Sequence, residues 1–219
     1  MRSKRKPKNE SYVIGFWILT LMATIQVSHA QKRFSEGTLI FDVTTHVKEK
    51  QLGEVALSSH QLKGGHSRVE FKSSLGSSTS IFDEREGNGV ILKEYGAQKV
   101  LIPFDKLQWE ARQDQMPKAT YTFETEEKQI LGYTCQKAIA TLADGRKLEV
   151  FYTNQVVAEN ADIDIPFGKL PGLALEYRTL SGDTTVRYVA KELNFDPVPF
   201  QRFEWPKTGY RVLTEGTKK

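Results

Sequence analysis

Gly132-Tyr133-Thr134-Cys135-Gln136-Lys137 opens a stretch that runs through Ala143-Asp144-Gly145-Arg146 to Val150-Phe151-Tyr152, and its residues dictate a hairpin. Asp144 and Gly145 tolerate the positive φ that a tight two-strand turn needs. Cys135 to Leu142 and Lys147 to Tyr152 are the predicted strands on either side. Further on, Pro171-Gly172 marks a corner before another apolar run, Leu173 to Thr179.

The same texture extends outward in both directions. Leu39, Phe41, Val43 and Val47 alternate with Ile40, Asp42, Thr44 and His46, as in a half-buried strand with one wet face. A polar turn over Lys48 to Gly53 and a breaker at Lys63-Gly64-Gly65 separate further short strands. Gly96-Ala97-Gln98 reads as another hairpin turn. Glu124 to Lys128 reads as a solvated turn, and Tyr210 to Leu213 as a last short strand. Pro103 changes the texture: from Phe104 to Met116 the apolar spacing turns helical. Asp105 is placed to cap the start of that helix and Pro117 to end it. Short strands with turns between them predict a mainly β (α+β) fold. An antiparallel sheet of this kind curls to cover one apolar face, with one or two short helices.

The first thirty residues read differently. Arg2, Lys4, Arg5, Lys6 and Lys8 precede an apolar run from Val13 to Val27, and Ser28-His29-Ala30 resembles a signal-peptidase site. Cleavage after Ala30 would send residues 31–219, a single β-rich domain, to the periplasm or outer envelope. An uncleaved N-terminal membrane anchor is the alternative. The chain's net charge of +4 lies in that leader: the remaining residues hold equal numbers of basic and acidic side chains. No nucleic-acid partner is expected of so balanced a surface. The single cysteine, Cys135, excludes an internal disulfide.

Gly132, Tyr133, Cys135 and Lys137, with Leu170, Pro171, Gly172 and Leu173, resemble the two motifs of the DUF4412/GLPGLI-type exported proteins of Gram-negative envelopes. Lys169 and Ala174 depart from that pattern. Gly37-Thr38-Leu39-Ile40-Phe41 is similar in style to the opening strand of LolA/LolB-like domains. That second resemblance implies a curved antiparallel half-barrel whose concave face holds lipid or lipoprotein acyl chains.

No nucleophile elbow, phosphate loop or dinucleotide fingerprint is present, and no cofactor or metal is expected. Cys135 is open to two readings, a reactive thiol beside Lys137 or a small buried hydrophobe. His46, His60 and His66 are expected to be solvated strand histidines. Asp162 and Asp164 share a face by alternation and are the carboxylate pair considered for hydrolysis. Val43, Phe71, Phe82, Trp109 and Phe151 are large side chains on well-formed strands or on the predicted helix, and are the candidates to line an apolar pocket. The function expected is non-enzymatic binding of a lipid-like ligand, a lipoprotein or another envelope protein. An exported hydrolase using Cys135 or carboxylates, and a module pairing through a strand edge, are the alternatives.

Overall fold

A computed structural model describes residues 31–48, 50–114, 119–158 and 170–214; the expected leader, Met116, Pro117 and the Asp162/Asp164 pair lie outside them. The chain runs through β1 (Lys32–Phe34), β2 (Glu36–Val47), β3 (Lys50–Lys63), β4 (His66–Ser73), β5 (Gly76–Asp83), β6 (Asn88–Tyr95) and β7 (Gln98–Asp105). Helix α1 (Lys106–Asp114) follows, then β8 (Ala119–Ile130), β9 (Tyr133–Leu142), β10 (Lys147–Thr153) and β11 (Val156–Ala158). Finally come β12 (Leu173–Ser181), β13 (Thr184–Asn194), a 3-10 turn (Phe200–Phe203) and β14 (Arg211–Val212).

Twelve strands form one curved, unclosed sheet in the order β14-β7-β6-β5-β4-β3-β2-β13-β12-β10-β9-β8. It is the mainly β, curling sheet that the alternation implied and the half-barrel that the likeness to LolA/LolB-like domains implied. Two antiparallel meanders build it. The first steps outward from β2 to β7. The second starts at the opposite edge with β8 and steps inward to β13, which pairs with β2 from Thr184↔Val47 to Asn194↔Thr38. β1 and β11 pair in parallel as a separate two-stranded ribbon.

Local chemistry explains the joints. Leu131 and Gly132 both have positive φ, 53° and 80°, and turn β8 into β9. Two left-handed residues match the twist of the strands they join, so the motif's Gly132 is a hairpin glycine. Asp105 Oδ1 accepts from Gln108 N at 2.9 Å while Gln108 Oε1 accepts from Asp105 N at 3.0 Å. This reciprocal box starts α1 where the sequence placed its cap. At the other motif, a Cβ on Gly172 would lie 1.9 Å from the Thr153 carbonyl oxygen, so only glycine lets the chain enter β12 against the end of β10.

Three sequence expectations are corrected. Glu124 to Lys128 is no turn: β8 passes through it, with an irregularity between Phe123 and Glu127 that absorbs the extra residues. β3 begins at Lys50, so the turn after β2 is tighter than the expected 48–53. Pro103, read as a strand end, lies inside β7 opposite Val90. It is tolerated because β14 pairs only with Val100 and Leu101, leaving β7 an edge strand at Pro103.

Gly172→Ala forces a methyl group into backbone. It is expected to cost about 1–3 kcal/mol in urea unfolding. An unchanged midpoint would show that the β10–β12 approach is not tight.

Candidate functional site

Strand pairing sorts the side chains onto two faces. One face, here called inner, carries Phe41, Ser58, His60, Tyr177 and Tyr188. Phe41 is fully buried and meets three rings edge-on: His60 at 5.4 Å, Tyr177 at 5.5 Å and Tyr188 at 6.2 Å. Tyr177 and Tyr188 stack at 4.6 Å. This cluster bridges the two meanders, and each such ring pair contributes about 0.5–1.5 kcal/mol beyond its buried area.

Further along the same face, Phe82, Phe104 and Trp109 form a near-parallel stack. Trp109 lies 5.0 Å from Phe82 and 5.1 Å from Phe104, and the Arg112 guanidinium sits 5.0 Å over the Phe104 ring. Helix α1 therefore docks on the inner face through one indole. Between the stack and the Phe41 cluster the floor is less covered: Val69, Phe71, Ile91 and Ile102 are all half-buried.

Polar atoms on this face are short of partners. Ser58 Oγ and His60 Nε2 are 3.0 Å apart, both residues buried. His60 Nδ1, Ser80 Oγ and Trp109 Nε1 are buried and meet no hydrogen-bond partner. Such atoms are costly to leave bare. The expectation of a solvated His60 is corrected: it is 5% exposed, because alternation places it on the inner face beside Phe41. Burial pushes its imidazole down to about 4, so it is neutral in the folded protein at neutral pH.

The outer face is closed by other means. Over β4 to β7 the C-terminal segment packs Val198 and Phe203 against Ile81, Val90, Leu92 and Leu101. Arg68 donates to the Arg202 carbonyl, and Tyr210 donates to Glu94. Over β8 to β13 an ion-pair lattice takes over. Glu176 Oε1 accepts two N–H groups of Arg187 at 2.8 and 3.0 Å, and Oε2 meets Lys128 Nζ at 2.5 Å. Burial raises the Glu176 carboxyl, but these two cations outweigh it and hold it below the ordinary range. Lys137, flanked by Glu126 and Glu149, keeps its proton more firmly than an ordinary lysine.

Cys135 lies on this outer side with no exposed surface. Burial pushes its thiol up to about 11 against the pull of Lys128, so it packs as a small hydrophobe and does not supply a thiolate at neutral pH. Asp42, on the outer face of β2, is engaged by Lys191 at 3.3 Å. His66 Nδ1 faces Asp83 at 3.4 Å in a cleft of about 440 Å³ under Phe200, Phe203 and Trp205.

Of the five residues chosen from sequence, Val43, Phe71, Phe82 and Trp109 share the inner face, and Phe82 and Trp109 touch. Phe151 belongs to the outer side: Lys128 Nζ stands 3.6 Å over its ring, and it pairs across the strands with Glu176. Sequence reasoning did not choose Ser58, His60, Ser80, Tyr177 or Tyr188 for the site. The signal was there in the two-residue spacing Ser58-His60-Leu62 and Ser78-Ser80-Phe82, but nothing in the chain order brings these strands beside Tyr177 and Tyr188.

The buried imidazole has a thermodynamic signature. Its folded value is below the unfolded value of about 6.5, so its contribution is fully present above that value. As pH falls from 6.5 to 4 the unfolded chain takes up the proton first and the contribution is lost, up to about 3 kcal/mol. Urea unfolding across this range should show a shallower loss in His60→Gln than in the native protein. Parallel curves would contradict a neutral, buried His60.

Among the described residues no helix is long and apolar enough to cross a membrane. No curated protein matches the chain. Among solved structures, PNGF-II is similar over 82% of this chain and 31% of its own, at 14% identity and a TM-score of 0.44. The chain thus spans under a third of the PNGF-II length. An uncharacterised conserved protein from Thermus thermophilus is similar over 82% of this chain and 91% of its own, at 13% identity and a TM-score of 0.46. LprF from Mycobacterium bovis is similar over 75% and 88%, at 9% identity and a TM-score of 0.37. The family model that matches is not of the DUF4412/GLPGLI type to which the motifs point. It covers residues 79–191, just over half of the sequence, and the chain belongs to the family it describes, "N-glycanase peptide, N-terminal domain".

Proposed function

We propose that residues 31–219 act as one exported, non-catalytic binding domain that takes a lipid-like ligand on the inner face of the sheet. The observation that carries this reading is the contrast between the faces. The outer one is covered over β4 to β7 by the C-terminal segment, with the His66 cleft beneath it and Arg68 Nε left bare, and over β8 to β13 by ion pairs. The inner one leaves half-buried apolar side chains beside three buried polar atoms without partners. Phe71, Val69, Ile91 and Ile102 form the floor, with Val43 and the Phe82–Trp109 stack as walls. A curved sheet with such a face gains about 25 cal/mol for every Å² of apolar surface a ligand covers.

The hydrolase alternative loses Cys135 as its nucleophile, because the thiol is buried and protonated, while its carboxylate pair, Asp162 and Asp164, lies outside the described residues. The strand-edge alternative meets β8, an edge strand carrying Glu124, Glu126, Glu127 and Lys128 and a pairing irregularity, both of which deter addition of another strand. Cleavage after Ala30 and delivery to the periplasm or outer envelope remain part of the proposal, on the basic head and apolar run. Kinship with DUF4412/GLPGLI-type proteins rests on Gly132, Tyr133, Cys135 and Lys137 with Leu170 to Leu173. Membership of an N-glycanase N-terminal family makes an accessory role beside a catalytic domain compatible with this reading.

Protein purified without detergent and extracted with organic solvent should release acyl lipid, and the delipidated protein should take up 1-N-phenylnaphthylamine with a rise in fluorescence. Ile91→Lys, which puts a charge on the floor, should abolish both. Clean extracts together with no probe uptake would sink the reading.

A further inference from the structure

The inner face of β3 to β7 is ordered in cross-strand rows. His60, Val69, Ser80, Ile91 and Ile102 stand side by side in one row. Ser58, Phe71, Ser78, Lys93 and Val100 form the next. A third row runs from Leu62 through Ser67, Phe82 and Gly89 to Phe104. These three rows contain no carboxylate and one cation, Lys93. The acidic residues of β4 to β7, such as Glu70 and Glu94, fall on the outer face, where Arg68 and Lys99 pair with them. Lys93 is half-buried, and among the described residues no carboxylate pairs with it.

Lys93 is directly across from Ser78, and Ser80 is two residues further along the same strand. Strands are about 4.8 Å apart and two residues span about 7 Å, so one small anion reaches all three side chains. Ser80 Oγ is one of the buried atoms without a partner. A cation and a bare hydroxyl beside Val69, Phe71 and Ile91 combine a charged end with an apolar track. Amphiphiles with a cationic head would meet like charge here, and neutral ones would leave the lysine unanswered.

We propose that this patch holds a long-chain fatty carboxylate. Lys93 pairs with its charge, Ser80 and Ser78 donate hydrogen bonds to its oxygens, and the acyl chain lies over Ile91, Val69 and Phe71. The proposal rests on the inner face being a ligand site, and names the class of ligand that the site selects.

Binding of palmitate and of methyl palmitate to the delipidated protein, read by displacement of 1-N-phenylnaphthylamine, separates the two claims. Palmitate should bind roughly tenfold more tightly than the ester, as expected when a charge-assisted contact is added. Lys93→Gln should abolish that preference and leave ester affinity unchanged; Ser80→Ala should narrow it. Lys99→Gln, the same charge change on the outer face, should leave the preference intact, and thermal melts of each variant report whether the fold survives. Ester binding without any preference for the acid, or a preference that survives Lys93→Gln, overturns the carboxylate assignment while keeping the ligand site. Failure of both probes to bind overturns the site itself. Co-sedimentation with phosphatidylglycerol vesicles that is lost in Lys93→Gln would replace the free acid by a membrane surface.

Discussion

The pairing of β2 with β13 holds the molecule together. Every other neighbour pair in the large sheet except β10–β12 and the short β14–β7 contact joins strands consecutive in the chain, and each meander could grow by adding the next hairpin. β2 and β13 are separated by nearly the whole domain, so closing them carries the largest loop-entropy cost. Phe41 sits at that seam, opposite Ala190 and Ser58, and its contacts with His60, Tyr177 and Tyr188 offset part of the cost. Full burial of one such ring is worth roughly 1.5–3 kcal/mol. Without the seam there are two smaller sheets and no shared inner face.

Once the seam is closed, strict alternation does the rest. Over β4 to β7 a period of two sends serines, aromatics and one lysine inward and the acidic residues outward. On the outer face Glu176 pairs with its two cations and the C-terminal segment lies across β4 to β7, with Arg68 Nε left bare. The inner face keeps Val69, Phe71, Ile91 and Ile102 half-buried beside its own bare polar atoms. An open sheet of twelve strands must curl, because accumulated twist leaves no flat solution. Curling gathers the unsatisfied side chains of the inner face. A binding role follows from this asymmetry of faces and from no single motif.

Much of the fold was legible because its determinants are local. Asp144-Gly145 marks a hairpin by its own conformational freedom, and Asp105 caps α1 through a residue three positions away. The alternation at Leu39, Phe41 and Val43 identifies the buried side of β2 directly. The charged run at Glu124 was misread because its exposure comes from lying on an edge strand, a property of sheet order. Pro103 was misread for the same reason. His60 was misjudged because its burial depends on Phe41, Val69 and their strands, and register between distant strands is not written in any short window. Phe151 shows the limit of choosing residues by size: its neighbour Glu176 on β12 assigns it to the other face.

Trp109 and Trp205 provide the most direct measurement, because one indole stacks on the inner face and the other packs with the C-terminal segment on the outer face. Trp109 Nε1 is buried without a partner, so its proton resonance should respond to a ligand on that side. In nitrogen-15 spectra of the delipidated protein titrated with palmitate, the Trp109 indole peak should shift and saturate while the Trp205 peak stays in place. A stationary Trp109 peak, or equal movement of both, would contradict a ligand site on the inner face.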